Sequence, residues 1–238
     1  MVWRRRDQSV IKTNDSTDTQ ADIQAQNMAV PDQIVEQPLN YRLLHSAQLL
    51  PERQAAWNEL CTKWRQCTRC PLNLTRNKIV LGSGSLLARV MLVGEAPGEN
   101  EDKQGEPFVG RAGKLLQALL RSINLDREQI FITNILKCRP PRNRDPLASE
   151  VELCTPLLKA QIQIIKPSLL VAVGRIAAQF LLNSNASMKQ LRERWLLHPE
   201  TQTPLLVTYH PAYLLRSPQE KAKAYQDFLM IKHRLLKE

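Results

Sequence analysis

The sequence has few aromatic residues, no long apolar run and an odd number of cysteines. Phe, Trp and Tyr make up 5% of the 238 residues, so aliphatic side chains must build the core. No stretch approaches the roughly 18 apolar residues of a membrane span. Residues 1–8 (MVWRRRDQ) are basic but have no apolar run behind them, unlike a secretory signal. We therefore expect a cytoplasmic protein without a membrane partner, in which five cysteines do not form a disulfide framework.

Positive charge is in excess. The chain has 33 Lys and Arg against 23 Asp and Glu, which gives a formal net charge of +10. A basic chain of this size favours a polyanionic partner, because its cations neutralise phosphates and release counterions. An anionic membrane surface and a merely solubilising charge excess are the alternatives that charge alone leaves open.

Four short apolar runs alternate with helical patterns. The runs are residues 90–93 (VMLV), 130–133 (IFIT), 169–173 (LLVAV) and 205–208 (LLVT). Such runs are typical of strands covered on both faces. The helical patterns span residues 43–66, 112–123, 149–165, 175–182 and 218–236. This alternation predicts an α/β protein with three layers, α/β/α, around a central four-stranded, mainly parallel sheet.

The chain ends and helix starts carry further signals. Residues 1–40 are polar and lack apolar periodicity, which predicts a disordered tail before a single domain at residues 41–238. Pro51 is interpreted as a break or a helix start inside the first helical pattern. Ser149 and Glu152 have the spacing of a capping box.

Four of the cysteines suit a thiolate site. Cys67 and Cys70 form a C-x-x-C, while Cys138 and Cys154 are single and distant. A tetrahedral thiolate set of this kind holds zinc or an iron–sulfur cluster, and spacing alone does not choose between them. A redox C-x-x-C and unligated core cysteines are the other readings. Cys61 is the spare and is expected to be buried.

Candidate site residues follow the predicted strands, where sites of parallel sheets form. After the first strand, GEAPG is followed closely by acidic residues, so that Glu95 and Glu101 are candidates for chemistry or for a solvated turn. Phe108, in PFVG, is either a local staple or a stacking platform. Asn134 and His210 stand at later strand ends, where they read a ligand edge or are structural.

Two segments suit contact with DNA. Residues 134–144 (NILKCRPPRNR) form a basic, proline-rich loop in which Arg142 and Arg144 are candidate phosphate ligands. In residues 209–216 (YHPAYLLR), Leu214 and Leu215 beside Arg216 suit insertion between bases. Alternatively, both leucines begin the last helix and pack on the core.

Together GEAPG, PFVGRAG, NILKCRPPRNRDP and HPAYLLR resemble the family 4 uracil-DNA glycosylases, the iron–sulfur members of the uracil glycosylase superfamily. The resemblance extends in order over residues 60–229. It implies removal of uracil from single- or double-stranded DNA by hydrolysis of the N-glycosidic bond. It also implies a [4Fe–4S] cluster on four cysteines: Cys67, Cys70, Cys138 and Cys154.

The resemblance implies a role for each pocket residue. Phe108 stacks on the flipped uracil, Asn134 reads its polar edge and His210 hydrogen-bonds O2. Residues around Glu95 and Ala96 complete the pocket.

The DNA contacts and the water-activating group are the remaining expectations. Residues 214–216 would fill the gap that the flipped nucleotide leaves in the DNA. The best-known uracil glycosylases have a catalytic Asp where this chain has Ala96, so the water-activating group is open, with Glu101 the first candidate and Glu95 the second.

Two other readings compete with a glycosylase. One is a cluster-bearing nucleic-acid-binding module without catalysis, and the other is a zinc protein with the same four ligands. The chain is expected to be a monomer, and its tail is interpreted as a tether to a replication or repair protein.

Overall fold

A six-stranded sheet forms the centre of the computed structural model, which describes residues 39–237, with side chains described from residue 50 onward. Its strand order is β1 (Ser83–Gly84), β3 (Phe131–Asn134), β2 (Val90–Gly94), β4 (Leu169–Val173), β6 (Pro204–Thr208) and β5 (Leu196–Leu197). The four central strands are parallel, and they are the predicted ones: β2 (Val90–Gly94), β3 (Phe131–Asn134), β4 (Leu169–Val173) and β6 (Pro204–Thr208). The predicted three-layer α/β fold is confirmed.

The predicted number of strands was too low. Two further strands, β1 (Ser83–Gly84) and β5 (Leu196–Leu197), pair antiparallel with β3 and β6 at the two edges. Each has two residues. Strands this short carry no detectable period-2 pattern, which is why the sequence did not reveal them.

Eight α-helices accompany the sheet in the described part of the chain. They are α1 (Leu39–Arg65), α2 (Glu99–Gln104), α3 (Arg111–Arg121), α4 (Ala148–Ile165), α5 (Arg175–Leu182), α6 (Met188–Leu191), α7 (Pro211–Arg216) and α8 (Lys221–Lys237). Short 3₁₀ turns lie at Pro71–Leu74, Arg127–Gln129, Pro141–Asn143 and Pro218–Glu220.

Alternate residues of the central strands enter two separate cores. On one face Met91, Val93 and Ala172 pack with residues of α4 and α5. On the other face, Leu92 and Val171 pack with residues of α3, α7 and α8. Because successive strand side chains point to opposite faces, strands that are apolar throughout require a helical layer on both sides.

Two predictions about helix boundaries differ from the structure. Pro51 lies inside α1, which is one helix rather than a broken pair. The capping residue of α4 is not Ser149: the carboxylate of Glu150 accepts a hydrogen bond from the backbone N–H of Leu147 at 2.9 Å. Glu150 is buried, and its position lets it satisfy this free N–H at the helix start.

The chain ends are described in part. The predicted tail lies outside the described residues except for Leu39 and Asn40, which begin α1. No helix of the described residues is long and apolar enough to span a membrane.

Candidate active site

A cavity of about 410 Å³ opens at the carboxyl ends of the parallel strands. It is lined by residues that follow β2, β3 and β6, as expected for a parallel sheet. Predicted site residues in its wall are Glu95, Ala96, Glu101, Phe108, Asn134, Arg144, His210 and Arg216. Arg142, Leu214 and Leu215 are not part of the wall. The sequence therefore predicted most of one continuous site from segments more than 100 residues apart.

Asn134 presents an unpaired polar atom in this cavity. Its side chain is 2% exposed, and its Oδ1 has no hydrogen-bond partner in the described structure. Buried amide oxygens are normally paired, so an orphan in a cavity wall is suited to a ligand N–H. Gly94, aligned with Asn134 in the sheet, leaves room for it: a Cβ there would lie 2.3 Å from Oδ1 and 2.7 Å from Phe108.

Phe108 is held in a left-handed backbone conformation, with φ at 53°. Such a conformation is costly for a bulky residue and needs support from its surroundings. Glu101 supplies part of that support, because its Oε1 accepts hydrogen bonds from the N–H groups of Val109 at 2.9 Å and Gly110 at 2.8 Å. Arg127 supplies the rest by donating to the carbonyl of Phe108 at 2.8 Å and to that of Pro107.

His210 faces Phe108 across the cavity wall, with 5.6 Å between the ring centroids and 36° between their planes. Its Nδ1 accepts a hydrogen bond from the backbone N–H of Ala212 at 3.2 Å. Burial, with a smaller effect from Arg216, lowers the pKa of His210 to about 4, although Glu101 opposes this shift. The imidazole is therefore neutral at pH 7, and its proton is on Nε2.

Glu95 has a strongly shifted acidity. Burial and, to a smaller extent, the negative charge of Asp145 raise the pKa of this carboxyl group to about 7, while Arg175 opposes the shift. Asp145 also lines the cavity, and its Oδ2 is 3.6 Å from the guanidinium of Arg175. A carboxylate with a pKa near the working pH is suited to accept a proton.

The two predicted water-activating candidates therefore differ. Glu101 binds two backbone N–H groups through one oxygen, and its position supports the Phe108 loop. The carboxylate of Glu95 has no recorded hydrogen bond to the described residues 50–237, and its raised pKa suits a group that accepts a proton from water. These observations favour Glu95 over Glu101 as the candidate for activating water, although Glu101 was the first candidate from the sequence.

The four predicted cluster cysteines line one small cavity beside α4: Cys67, Cys70, Cys138 and Cys154. Cys61, which was predicted to be buried, is instead partly exposed and lines a different surface pocket. Arg76 donates to Sγ of Cys138 at 3.1 Å and to the carbonyl of Cys67 at 2.7 Å. Burial raises the pKa of the Cys138 thiol to about 11, so thiolates here need a compensating positive charge.

The donor set of four cysteines is chemically suited to a thiolate-bound metal centre. No group of three or more His, Cys, Asp or Glu in the described residues converges as the ligands of one metal ion would. In a cubane cluster each thiolate binds a different iron, so the four sulfurs surround a volume and do not converge on a point. Four cysteines around one small cavity, which Arg76 and Lys137 also line, are consistent with that arrangement.

The residues predicted to contact DNA differ in their exposure and in their partners. Leu214 is 0% exposed and packs in the core on the α8 side of the sheet, so its predicted insertion into DNA is corrected. Leu215 is 37% exposed. Arg144 is held by Glu150 through two hydrogen bonds of 2.9 and 2.6 Å. Arg142 is exposed in a strained turn, with φ at 55°.

Several residues of the site were missed. Lys137 belongs to the predicted basic loop, but it is buried and donates to Thr133 Oγ1 at 2.6 Å and Gln161 Oε1 at 2.7 Å. Arg127 carried no sequence signal, because its partners, two backbone carbonyls and the hydroxyl of Ser83, are distant in the sequence. Tyr213 stood in HPAYLLR without an assigned role, and it lines the cavity.

With this geometry in place, comparison with known proteins is informative. Residues 81–230 match the model of the uracil DNA glycosylase superfamily. The chain belongs to the uracil DNA glycosylase superfamily. A type-4 uracil-DNA glycosylase of Archaeoglobus fulgidus is 44% identical over 175 residues, covering 69% of this chain and 86% of that protein.

Two other relatives are informative. A type-4 uracil-DNA glycosylase of Thermotoga maritima is 45% identical over 157 residues, covering 64% of this chain and 80% of that protein. A DNA polymerase of Bacillus phage SP01 is 29% identical over 154 residues, which cover 64% of this chain and 16% of the polymerase. The predicted family is confirmed.

Proposed function

We propose that this protein flips uracil out of DNA and hydrolyses its N-glycosidic bond, leaving an abasic site. The observation that carries the proposal is the single cavity in which Glu95, Phe108, Asn134 and His210 meet. The confirmed superfamily and the type-4 relatives support the same activity. A base inside a duplex is inaccessible, so the enzyme must take it out of the stack or act on a single strand.

Uracil is a planar base with one N–H between two carbonyls. In the proposed complex it stacks on Phe108. The orphan Oδ1 of Asn134 accepts from N3–H, and the amide nitrogen of the same side chain donates to O4. Nε2–H of His210 donates to O2. The unsatisfied buried oxygen of Asn134 supports this assignment, because binding uracil would give that oxygen its missing partner.

Hydrolysis breaks the bond between N1 and C1′, and the departing uracil takes the electron pair. The sugar becomes oxocarbenium-like, while negative charge develops on uracil O2. A neutral His210 stabilises that charge by donating a hydrogen bond from Nε2–H to O2. Glu95 accepts a proton from a water molecule while the oxygen of that water forms the new bond to C1′. This proton is then available to neutralise the uracil anion.

Glu101 positions the stacking residue in this scheme. Its two hydrogen bonds hold the backbone directly after Phe108, where the left-handed conformation would otherwise relax. The ring of Phe108 thus stays beside His210 before substrate arrives. Such preorganisation reduces the entropy that must be lost on binding.

We propose that the four cavity cysteines hold a [4Fe–4S] cluster: Cys67, Cys70, Cys138 and Cys154. The cluster would supply a structural cross-link and no step of the hydrolysis. Arg76 stabilises thiolate charge at Cys138 and holds the carbonyl of Cys67, which ties two ligand-bearing loops together. Through Cys138 the cross-link would reach the loop that follows Asn134.

In the proposed complex, DNA lies over the rim of the cavity. Arg216 and Arg142 are proposed phosphate ligands, and Leu215 is proposed to occupy the gap left by the flipped nucleotide. Arg144, fixed by Glu150, holds the loop that carries Arg142. Single- and double-stranded uracil DNA are both proposed substrates.

A uracil-containing oligonucleotide tests the activity. We expect strand breaks at the uracil position after incubation with the protein and alkali, and none with thymine at that position. Absence of breaks on both single- and double-stranded substrates, with the metal site loaded, would overturn the proposal. Binding without base release would instead indicate a nucleic-acid-binding module.

Metal analysis tests the cofactor. Anaerobically purified protein is expected to be brown and to contain iron and acid-labile sulfide. Cys138→Ser should lose both, while Cys61→Ser, outside the cysteine cavity, should keep them. A colourless protein with stoichiometric zinc would exclude the cluster.

We also propose that the protein is a cytoplasmic monomer and that residues 1–40 tether it to a replication or repair protein. The similarity to part of a phage DNA polymerase supports a link with replication. Light scattering tests the monomer. Affinity capture with the full chain and with residues 41–238 tests the tether, which fails if both capture the same proteins.

A further inference from the structure

Tyr213 is an exposed aromatic residue at the mouth of the cavity. It lies on α7, lines the cavity and is 37% exposed. Among the large, mostly apolar side chains that the structure describes as exposed, Tyr213 and Tyr225 are the aromatic ones. Tyr225 lies on α8 and does not line the cavity. An exposed aromatic beside a polar site is therefore a specific feature of α7.

The ring of Tyr213 packs against another aromatic ring. Its centroid lies 5.2 Å from that of Tyr209, with 41° between the planes. The guanidinium of Arg192 lies 4.1 Å from the centroid of the Tyr209 ring. Asp227 binds Arg192 through two hydrogen bonds of 3.0 and 2.9 Å, and both residues are buried. A stack of Arg192, Tyr209 and Tyr213 thus extends from a buried ion pair to the surface.

This support bears on what the ring can bind. A long, mobile side chain loses rotamer freedom on contact with a ligand, whereas a ring that is already packed loses little. One face of a supported aromatic ring is suited to another flat π system. A nucleobase has such a face whatever its identity, so stacking binds single-stranded DNA without reading its sequence.

The position of Tyr213 indicates which base it meets. On the same short helix, His210 is the N-cap and Arg216 the last residue. Tyr213 lies between the residue proposed to bind uracil and the residue proposed to bind phosphate. We propose that Tyr213 is a stacking platform for the nucleobase next to the flipped uracil on the same strand. This inference rests on the proposed function, since uracil in the cavity sets the register of the strand.

Substitution with a matched control tests the platform. The protein with its metal site loaded is assayed on a single-stranded uracil oligonucleotide as wild type, Tyr213→Ala, Tyr213→Phe and Tyr225→Ala. We expect Tyr213→Ala to raise KM by about tenfold or more, the scale of one base–aromatic stack, with kcat near the wild-type value. Tyr213→Phe and Tyr225→Ala should behave as wild type. A defect in Tyr213→Phe would assign the effect to the hydroxyl group and overturn stacking.

Altered substrates separate stacking from a structural role. Two further oligonucleotides carry a tetrahydrofuran spacer without a base, one on the 5′ side and one on the 3′ side of uracil. On one of them the wild type should weaken to the level of Tyr213→Ala, and the substitution should have no further effect. If the defect of Tyr213→Ala persists on both spacers, the platform is excluded.

The same series separates this inference from the proposed function. Uracil release by wild-type protein with identical KM for Tyr213→Ala and Tyr225→Ala would overturn the platform alone. No uracil release by wild type would overturn the proposed function. Fluorescence anisotropy on the same oligonucleotides then still tests stacking, because Tyr213→Ala must weaken Kd and Tyr225→Ala must not.

Discussion

The backbone N–H of Ala212 donates to Nδ1 of His210 across 3.2 Å, and this bond assigns the ring proton to Nε2. A protonated imidazole could not accept there. The low pKa of about 4 agrees with the neutral tautomer. The donor that the proposed mechanism needs is thus set by the backbone of α7 and does not depend on a counterion.

Replacing His210 with Ala should lower kcat by about 10²–10³-fold, the usual effect of losing one donor to a developing anion. The reason is the loss of the Nε2–H donor to uracil O2. Single-turnover excision measures the effect. His233→Ala, an exposed histidine on α8, is the matched control and should keep wild-type kcat. A His210→Ala enzyme with kcat close to wild type would exclude a hydrogen bond to the leaving group.

The rate of excision should depend on pH through Glu95. With a pKa of about 7, its carboxyl group is protonated below that pH and cannot accept a proton from water. The single-turnover rate should therefore fall as pH decreases through about 7. Glu95→Gln should lower the rate by about 10²–10⁴-fold and remove this limb of the profile. Retention of the limb in Glu95→Gln would assign it to another group.

Glu101→Gln should have a different signature. It weakens the charge-assisted hydrogen bonds to the N–H groups of Val109 and Gly110 but leaves Glu95 in place. We expect a higher KM for the oligonucleotide and an unchanged pH midpoint. A Glu101→Gln enzyme without the acidic limb would instead make Glu101 the water-activating residue.

Adding one methyl group at Gly94 should disable the pocket without unfolding the protein. The new Cβ would lie 2.3 Å from Asn134 Oδ1 and 2.7 Å from the ring of Phe108, so both must move. Displacements of about 1 Å in a catalytic site can cost about 10²-fold in rate. We expect that loss in kcat/KM for Gly94→Ala, with the circular dichroism spectrum unchanged. Full activity would show that neither side chain positions uracil.

Removing one partner of the buried Arg192–Asp227 pair should destabilise the protein. Asp227→Ala leaves the guanidinium charge buried without its carboxylate, which costs about 3–5 kcal/mol. Urea unfolding of the loaded protein measures the change. Glu200→Ala, which removes the exposed partner of Lys159, is the control and should have little effect. Equal midpoints for the two variants would contradict the buried-pair argument.

The sequence predicted the elements of the fold that have a clear hydrophobic pattern. Its apolar runs located all four parallel strands to within one residue, because burial on both faces leaves few polar positions inside them. The rule that sites follow strand ends selected Asn134 and His210, which line the same cavity. The six-residue helices α2 and α7 are too short for a helical period, so Leu214 and Leu215 could not be assigned to core and surface.

Environment-dependent properties were beyond sequence reasoning. The choice between Glu95 and Glu101 depends on two features of the folded protein. Burial raises the pKa of the Glu95 carboxylate, and the Glu101 carboxylate accepts hydrogen bonds from the loop after Phe108. Lys137 was given no role of its own within the basic loop, since its neutral acceptors Thr133 and Gln161 come from a strand and a helix that only folding brings together.

Helix α7 has one further consequence, for the fate of the product. Its six residues span about 9 Å at 1.5 Å per residue. His210 and Arg216 lie at its two ends, so this one helix contacts a nucleotide at two positions a fixed distance apart. Intact substrate engages both ends. Once the glycosidic bond is cut, free uracil retains only the His210 end and the abasic strand only the Arg216 end. We therefore expect cleavage to separate the two contacts that α7 makes with the nucleotide, and so to favour departure of the base.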